Sequence, residues 1–194
     1  MNRVMAILGF GLMIAGSALA APAPAFELAD TKGDVHKLSD YAGKFVVLEW
    51  YNPDCPFVKK HHLSGSMAGL QTKWAEHGVI WLAVNSSAPG KQGNYTGTEH
   101  EAILTERGAK PTALLLDADG TVGHAYGART TPHMFVIDPA GEIIYQGAID
   151  DKPTADQADL EGARNHVDSA LEEALNGQPV SVASSDPYGC SVKY

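Results

Sequence analysis

The sequence contains few cysteines and few basic residues. Cys55 and Cys190 are its only cysteines, and 14 lysines and arginines stand against 23 aspartates and glutamates, for a formal net charge of −9. The one adjacent basic pair, Lys59-Lys60, is isolated. Such a chain lacks the clustered basic surface typical of nucleic-acid-binding proteins. We therefore expect no nucleic acid among its partners.

The sequence also lacks an apolar run as long as the roughly 20 residues that span a bilayer. Its most apolar stretch, 4–14, follows the weakly basic start Asn2-Arg3 and precedes Ser17-Ala18-Leu19-Ala20. A charged start, an apolar centre and a small-x-small end are the pattern of a cleaved secretory signal peptide. We predict cleavage after Ala20, a periplasmic location, and a mature protein that is not embedded in the membrane.

The rest of the chain is long enough for one domain with its own core. After the predicted signal peptide (1–20), residues 21–25 alternate alanine and proline and predict an extended linker. Residues 26–177 form the predicted domain. The remaining residues, 178–194, contain turn formers without a helical period, and they make a tail that carries Cys190.

The apolar pattern predicts alternating strands and helices. Two short alternating segments within 26–38 predict a β-hairpin. Apolar runs predict buried strands, and amphipathic segments predict helices; the strands are 45–51, 79–84, 113–116, 133–137 and 142–146, and the helices are 56–77, 98–107, 121–127 and 160–175. This order is typical of an α/β fold, with helices on both faces of a central sheet and antiparallel strands added by the last hairpin.

Cys55 is the candidate reactive residue. It stands where a predicted buried strand ends and a helix begins, directly before Pro56. A thiol there faces unpaired N–H groups and the positive end of the helix dipole, which stabilise the thiolate. Lys59 and Lys60 would act in the same direction, while Asp54 would oppose them. The alternative is that Cys55 is a small buried apolar residue.

Thr131-Pro132 is a second candidate element, because it precedes a predicted strand. A cis peptide bond there would present the backbone of Thr131 to an incoming peptide. Only about 5–6% of X–Pro bonds are cis, so the residues alone leave the isomer open.

Taken together, several segments resemble the redoxin branch of the thioredoxin superfamily, of the alkyl hydroperoxide reductase and thiol-specific antioxidant type. These segments are 38–44, 46–48, 50–56, 126–132, 135–138, 147–152 and 189–194. The resemblance implies a thioredoxin-like fold with a mixed central sheet and an N-terminal β-hairpin extension. It also implies that Pro132 is cis and that the partners are protein thiols or disulfides.

The sequence departs from that family around Cys55. Thioredoxins have a second cysteine three residues after the first, where this chain has Val58. Peroxidases of the family have Thr or Ser three residues before the cysteine and Pro seven before, where this chain has Asn52 and Leu48. Arg129 is the best candidate for the arginine that a peroxidase places beside its thiolate. Reduction of protein disulfides is therefore the favoured function, and peroxide reduction is an alternative.

Cys190 is the candidate resolving thiol. Thiol–disulfide exchange needs a second sulfur to release the mixed disulfide, and Gly189 would let the tail approach the sheet closely. We predict a Cys55–Cys190 disulfide in the oxidised protein, either within one chain or between two. In a chain without redox activity, the same bond would be a structural disulfide.

Metal binding is a third interpretation. Cys55 with His61 or His62 offers the thiolate and imidazole ligands that suit copper or zinc, as in a non-enzymatic copper-binding module. Adjacent histidines on a helix point in different directions, however, and we expect both at the surface. No cofactor or metal is predicted, and the acidic residues near the turns are expected to serve as turn and cap residues: Asp117, Asp119, Asp150 and Asp151.

Overall fold

A computed structural model describes residues 21–194, so the predicted signal peptide lies outside the described residues. Within 21–194, no helix has the length and apolar character needed to cross a membrane. The strands are β1 (Ala21–Pro22), β2 (Glu27–Ala29), β3 (Val35–Lys37), β4 (Val46–Trp50), β5 (Ile80–Asn85), β6 (Ala113–Leu116), β7 (Thr130–Thr131), β8 (His133–Ile137), β9 (Glu142–Gly147) and β10 (Cys190–Ser191). The α-helices are α1 (Pro56–Leu63), α2 (Ser66–Glu76), α3 (Gly97–Glu106), α4 (Thr121–Tyr126) and α5 (His166–Leu175).

Six strands form a mixed central sheet in the order β1-β9-β8-β4-β5-β6. Strands β4, β5 and β6 are parallel because helices cross over between them, whereas β8 and β9 are antiparallel because a short turn joins them. Strand β8 also pairs antiparallel with β4, at the centre of the sheet. The predicted α/β fold with a mixed sheet flanked by helices is confirmed.

The sheet separates two apolar cores because successive side chains of a strand point to opposite faces. In β4, Leu48 and Trp50 pack with α4 on one face, while Val47 packs with α2 and α5 on the other. A third, smaller cluster surrounds Tyr51 and Cys55, immediately after β4. The reactive cysteine candidate therefore lies against the core and not on an exposed loop.

The N-terminal hairpin forms as predicted. Strands β2 and β3 make a separate two-stranded antiparallel sheet, and Phe26 and Leu28 pack against the core on the α4 side. The preceding segment, expected to be an extended linker, begins with β1, which pairs with the edge of the main sheet through Ala21 and Ile143.

The single helix predicted over 56–77 is wrong, because the structure has two helices there. Helix α1 ends before Gly65, whose φ of +79° lies in the left-handed region, and α2 begins at Ser66. Leu63, expected on the apolar face, is 56% exposed as a result.

The last helix starts later than its predicted start at Leu160. Residues Gln157–Leu160 form one 3₁₀ turn, and α5 begins at His166. Asn165 is the N-cap of α5, since its side-chain oxygen accepts a hydrogen bond of 2.8 Å from the Asp168 N–H.

A buried carboxylate ties the sheet to α1 and α2. Glu49, in the middle of β4, is fully buried. It accepts hydrogen bonds from Trp81 Nε1 at 2.9 Å, His62 Nε2 at 2.8 Å and Gln71 Nε2 at 3.5 Å. Because a buried polar group without a partner is costly, this network fixes α1, and with it Cys55, against the sheet.

Removing the Glu49 carboxylate should destabilise the protein strongly. Glu49→Ala leaves the donors of His62 and Trp81 buried without partners, and we expect a loss of about 3 kcal/mol in the free energy of unfolding. Urea unfolding measures it, with Glu76→Ala at the exposed end of α2 as the control, expected within about 0.5 kcal/mol of wild type. Equal stabilities of the two variants would contradict the role of the network.

Candidate functional site

A tight turn after β4 places Cys55 at the start of α1. The side-chain oxygen of Asn52 accepts the Asp54 N–H at 2.9 Å, and its carbonyl accepts the Cys55 N–H at 3.2 Å. Such an Asx turn redirects the chain, and Pro56 then takes the first helical position, where no N–H is needed. The Asn52 side chain is therefore part of the turn. Cys55 is the N-cap residue of α1 and is fully buried.

The Cys55 thiol lies against the backbone of the Thr131-Pro132 loop. Its sulfur is 3.0 Å from the Thr131 carbonyl oxygen, to which the thiol donates. The Thr131–Pro132 peptide bond is cis, as the family resemblance implied. Within 21–194, the buried Thr131 hydroxyl has no hydrogen-bond partner in this arrangement, so it is free to donate to the sulfur.

The C-terminal tail returns to the same loop. Its strand β10 pairs antiparallel with β7, with Cys190 opposite Thr131. Gly189 makes this approach possible: its φ is +138°, and a Cβ there would lie 2.1 Å from the Thr131 carbonyl oxygen. Cys55 and Cys190, both free thiols, thus meet at Thr131.

The surroundings of the two sulfurs shift their pKa values in opposite directions. Burial raises the pKa of Cys55, but donors that can bond to the thiolate, namely the Thr131 hydroxyl, Cys190 and the Val58 N–H, leave that pKa below its ordinary value. Burial and the neighbouring Cys55 sulfur raise the pKa of Cys190 to about 11. Cys55 is therefore the sulfur that ionises first.

The guanidinium group of Arg129 points away from this site. Its side chain is 66% exposed and extends to Asp186, 3.5 Å away. Only its backbone takes part in the site, where its carbonyl accepts the Val192 N–H at 3.1 Å and helps to hold the tail. Another arginine, Arg107, approaches the loop before Cys55, but it donates to the Pro53 carbonyl at 2.8 Å.

The two histidines of α1 are buried, so their predicted surface position is wrong. His62 is bonded to Glu49, while His61 Nε2 lies 3.2 Å from the Tyr188 hydroxyl. Lys60 is buried as well, and pairs with Asp150 at 3.5 Å. Local sequence gave no sign of these burials, because their partners come from distant segments. For residues 21–194, no group of three or more His, Cys, Asp or Glu side chains is placed to hold a metal ion.

Asp117 and Asp119 serve as turn and cap residues, as expected, whereas Asp151 and Asp150 also bind distant segments. Asp117 accepts the N–H groups of Val122 and Gly123 at the start of α4, and Asp119 accepts that of Thr121. Asp151 accepts the Arg164 N–H at 3.0 Å. Asp150 accepts the Lys152 N–H at 2.9 Å, but it is also buried beneath the tail.

Sequence reasoning missed two residues of the site region, Glu49 and Tyr188. A signal for Glu49 was present, since a carboxylate interrupts the otherwise apolar run 45–50. Tyr188 stands two residues before Cys190 in a segment without regular pattern. Only its contacts in the folded chain distinguish it from an ordinary surface tyrosine.

Comparisons with known proteins show the family to which the chain is similar. The model of the AhpC/TSA family matches residues 19–146. The thiol-disulfide oxidoreductase ResA of Geobacillus kaustophilus is 32% identical over 126 residues, which cover 65% of this chain and 67% of ResA. Cys55 and the Thr131-Pro132 loop lie within the residues that the family model matches. Cys190, in the tail, lies beyond them.

Solved structures extend the similarity. A conserved protein of Geobacillus kaustophilus matches with a TM-score of 0.77 and 25% identity, covering 93% of this chain and 94% of its own. A Chlorobium tepidum protein assigned as the thiol:disulfide interchange protein DsbE matches with a TM-score of 0.53 and 26% identity, covering 68% and 85%.

Acidification should weaken the fold through two buried histidines. Burial lowers the pKa of His61 and of His133 to about 4, below the ordinary 6.5. The unfolded chain therefore binds more protons between pH 6.5 and pH 4, and stability falls as pH falls through this range, by up to about 1.4 kcal/mol per pH unit for each histidine. Urea unfolding at pH 7, 6 and 5 measures the slope.

Two variants test whether His133 contributes to this dependence of stability on pH. His133→Gln should make it shallower, because the amide keeps an acceptor for the Arg129 N–H, now 3.3 Å from His133 Nδ1, without titrating. His77→Gln, at the exposed end of α2, should leave it unchanged. An unaltered slope in His133→Gln would contradict the assignment.

Replacing Gly189 should loosen the tail. In Gly189→Ala, the added methyl group meets the Thr131 carbonyl and the backbone is strained at positive φ. We expect faster hydrogen exchange of a peptide covering 186–194, in which the Val192 N–H is bonded to Arg129. Gly69→Ala, in an open part of α2, is the control and should match wild type. Equal exchange in both variants would disprove close docking.

Proposed function

The chain belongs to the AhpC/TSA family, and we propose that it is a periplasmic thiol–disulfide oxidoreductase with Cys55 as nucleophile and Cys190 as resolving thiol. The observation that carries this proposal is the convergence of both cysteines on Thr131. The family and the ResA relatives make the chain an oxidoreductase of the redoxin type. The finer assignment follows from the chemistry of the two sulfurs.

The first step is attack by the Cys55 thiolate on one sulfur of a substrate disulfide. A Cys55–substrate disulfide forms, the substrate S–S bond breaks, and the departing substrate thiolate takes a proton. The lowered pKa of Cys55 increases the fraction of thiolate at neutral pH. The N-terminus of α1 and the Thr131 side chain supply this stabilisation, in place of a nearby lysine or arginine.

The second step releases the substrate. Cys190 loses its proton and attacks the Cys55 sulfur, which forms the Cys55–Cys190 disulfide and frees the second substrate thiol. The substrate has then gained two electrons and the protein has lost two. An external dithiol reductant must restore the two thiols. The raised pKa of Cys190 keeps its thiol protonated while the Cys55 thiolate attacks the substrate.

The backbone edge of β7 suits an extended polypeptide substrate. Thr130 and Thr131 pair with only two residues of β10, through main-chain hydrogen bonds that any sequence can make. Addition of a substrate strand at this edge would bring its disulfide to Cys55. The tail occupies the same edge, so the substrate must displace it.

Disulfide reduction is a better fit to this site than peroxide reduction. The Arg129 guanidinium points into solvent, and the Asn52 side chain closes the turn before Cys55. A peroxidase needs a cation beside its thiolate to polarise the O–O bond. The Cys55 sulfur instead faces the Thr131 carbonyl, a backbone group that suits a peptide.

A periplasmic location agrees with the pattern of residues 1–20. Cleavage after Ala20 would leave Ala21 to pair with Ile143 at the edge of the sheet, so the described fold would be complete in the mature chain. Two cysteines that alternate between thiol and disulfide also suit an oxidising compartment with a dedicated reductant. Amino-terminal sequencing of the exported protein should begin at Ala21.

Cysteine variants test the mechanism. Reduced wild-type protein is mixed with an excess of native insulin, whose disulfides are intact. The protein should acquire a Cys55–Cys190 disulfide, which peptide mass mapping of the non-reduced sample detects. Cys190→Ser should accumulate an insulin chain bound to Cys55, because the resolving sulfur is missing. Cys55→Ser should form neither product. Ser191→Ala, next to Cys190 and exposed, is the matched control and should behave like wild type.

A second assay, with hydrogen peroxide in place of insulin, tests the alternative function, which is peroxide reduction. We expect the reduced protein to consume peroxide no faster than free cysteine does at the same pH. Rapid consumption that depends on Cys55 would replace the proposal with a peroxidase. Free thiols throughout an oxidant titration would disprove the pairing of Cys55 with Cys190.

A further inference from the structure

Three buried polar side chains and a partly buried tyrosine of the tail form a cluster near the start of the tail strand that carries Cys190. Lys60 and His61 come from α1, Asp150 from the loop after β9, and Tyr188 from the tail. The side chains of Lys60, His61 and Asp150 are each no more than 2% exposed. The disulfide chemistry proposed above does not use any of them.

The cluster is complete only when Tyr188 is present. Asp150 Oδ1 accepts the Tyr188 hydroxyl at 2.5 Å, while Lys60 Nζ lies 3.5 Å from Oδ2 and donates to the Lys152 carbonyl at 2.7 Å. His61 Nε2 lies 3.2 Å from the same hydroxyl. Buried charged groups require such partners because they have lost water. Tyr188 therefore supplies one of the hydrogen bonds that the buried Asp150 carboxylate accepts.

The Tyr188 ring is held as well as its hydroxyl. Lys60 Nζ lies 5.5 Å from the ring centroid, within the range of a cation–π contact, and the Phe57 ring centroid lies 5.8 Å away. Phe57 and Lys60 belong to the helix that Cys55 begins, and Tyr188 stands two residues before Cys190. One helix therefore positions both cysteines, Cys55 directly and Cys190 through Tyr188.

Near Cys190 the tail backbone is also held by the pairing of β10 with β7 and by the Val192 N–H. The other side-chain hydrogen bonds that join the tail to the rest of the fold lie farther along the chain from Cys190. The Ser185 side chain binds the Tyr145 hydroxyl at 2.7 Å, and the Tyr194 hydroxyl donates to the Ala128 carbonyl at 2.8 Å. Tyr188 is the tail residue that joins the buried cluster on α1. Release of Tyr188 would remove the contacts that join this part of the tail to the helix that Cys55 begins.

We propose that Tyr188 is a positioning residue: held by Asp150, His61 and Lys60, it keeps Cys190 docked beside Cys55, and its release exposes Cys55 to an external partner. The inference rests on the proposed Cys55–Cys190 pair. It adds that the buried cluster sets the fraction of molecules in which the tail is open. Since Cys55 is fully buried in the closed form, its reaction with any outside reagent requires opening.

The rate of Cys55 alkylation reports this open fraction. When opening and closing are fast, modification of a buried group follows the equilibrium population of the open form. Tyr188→Phe keeps the ring but removes the hydroxyl bond to Asp150. We expect iodoacetamide to modify Cys55 about tenfold faster in this variant at pH 7, corresponding to about 1.4 kcal/mol in the closing equilibrium. Tyr188→Ala also removes the ring contacts and should show a larger increase.

The matched control is Tyr126→Phe. The Tyr126 hydroxyl donates to the Pro24 carbonyl at 2.7 Å, on the α4 side of the fold and away from the tail contacts of Tyr188. Tyr126→Phe loses this one bond, whereas Tyr188→Phe loses the bond to Asp150 and the contact with His61, so both variants should lower the thermal unfolding midpoint. Only Tyr188→Phe should accelerate Cys55 alkylation, measured by peptide mass mapping so that Cys190 is counted separately.

Two outcomes would overturn the inference. One is Cys55 alkylation in Tyr188→Phe within twofold of wild type, and the other is equal acceleration in Tyr126→Phe. Neither outcome depends on insulin reduction. A wild-type protein that forms the Cys55–Cys190 disulfide while Tyr188→Phe alkylates normally would reject the role of Tyr188 and leave the proposed function standing.

Discussion

The contact between the Cys55 sulfur and the Thr131 carbonyl is the constraint on which the site depends. It brings the start of α1 against the loop before β8, at the end of the central strand β4. The tail pairs with the same residue, so a single backbone position organises both cysteines. A thiolate at this buried junction can be stabilised by N–H and hydroxyl donors, and in the proposed mechanism an outside molecule reaches it only when the tail opens.

Buried polar groups on α1 connect the site to the rest of the fold. His62 reaches Glu49 in β4, and Lys60 and His61 reach Asp150 and Tyr188. A helix that buries three consecutive cationic or titratable side chains is fixed in position, because any rotation would leave those groups without partners in an apolar surrounding. This rigidity holds the N-terminus of α1, and therefore the electrostatic environment of Cys55, in place.

Much of the fold and part of the site were predictable from local pattern. Runs such as 46–50 and 113–116 indicated buried strands, and Pro56 after Cys55 indicated a helix start. The break at Gly65 was missed, since apolar residues at Val58 and Met67 continue a helical spacing across it. Arg129 was a reasonable candidate by its place in the loop, but the direction of a long side chain near a turn depends on neighbours such as Asp186 that pattern does not identify.

The amino-acid sequence by itself determined the strand–helix order, the placement of a thiol at a helix N-terminus and the presence of a second thiol in a tail. These properties follow from periodicity and from the backbone preferences of proline, which act over a few residues. Only the tertiary structure decided that Lys60 and His61 are buried and that Cys190 lies opposite Thr131. Those contacts join segments far apart in the chain, and desolvation acts on them only when Asp150, Tyr188 and α1 have been brought together.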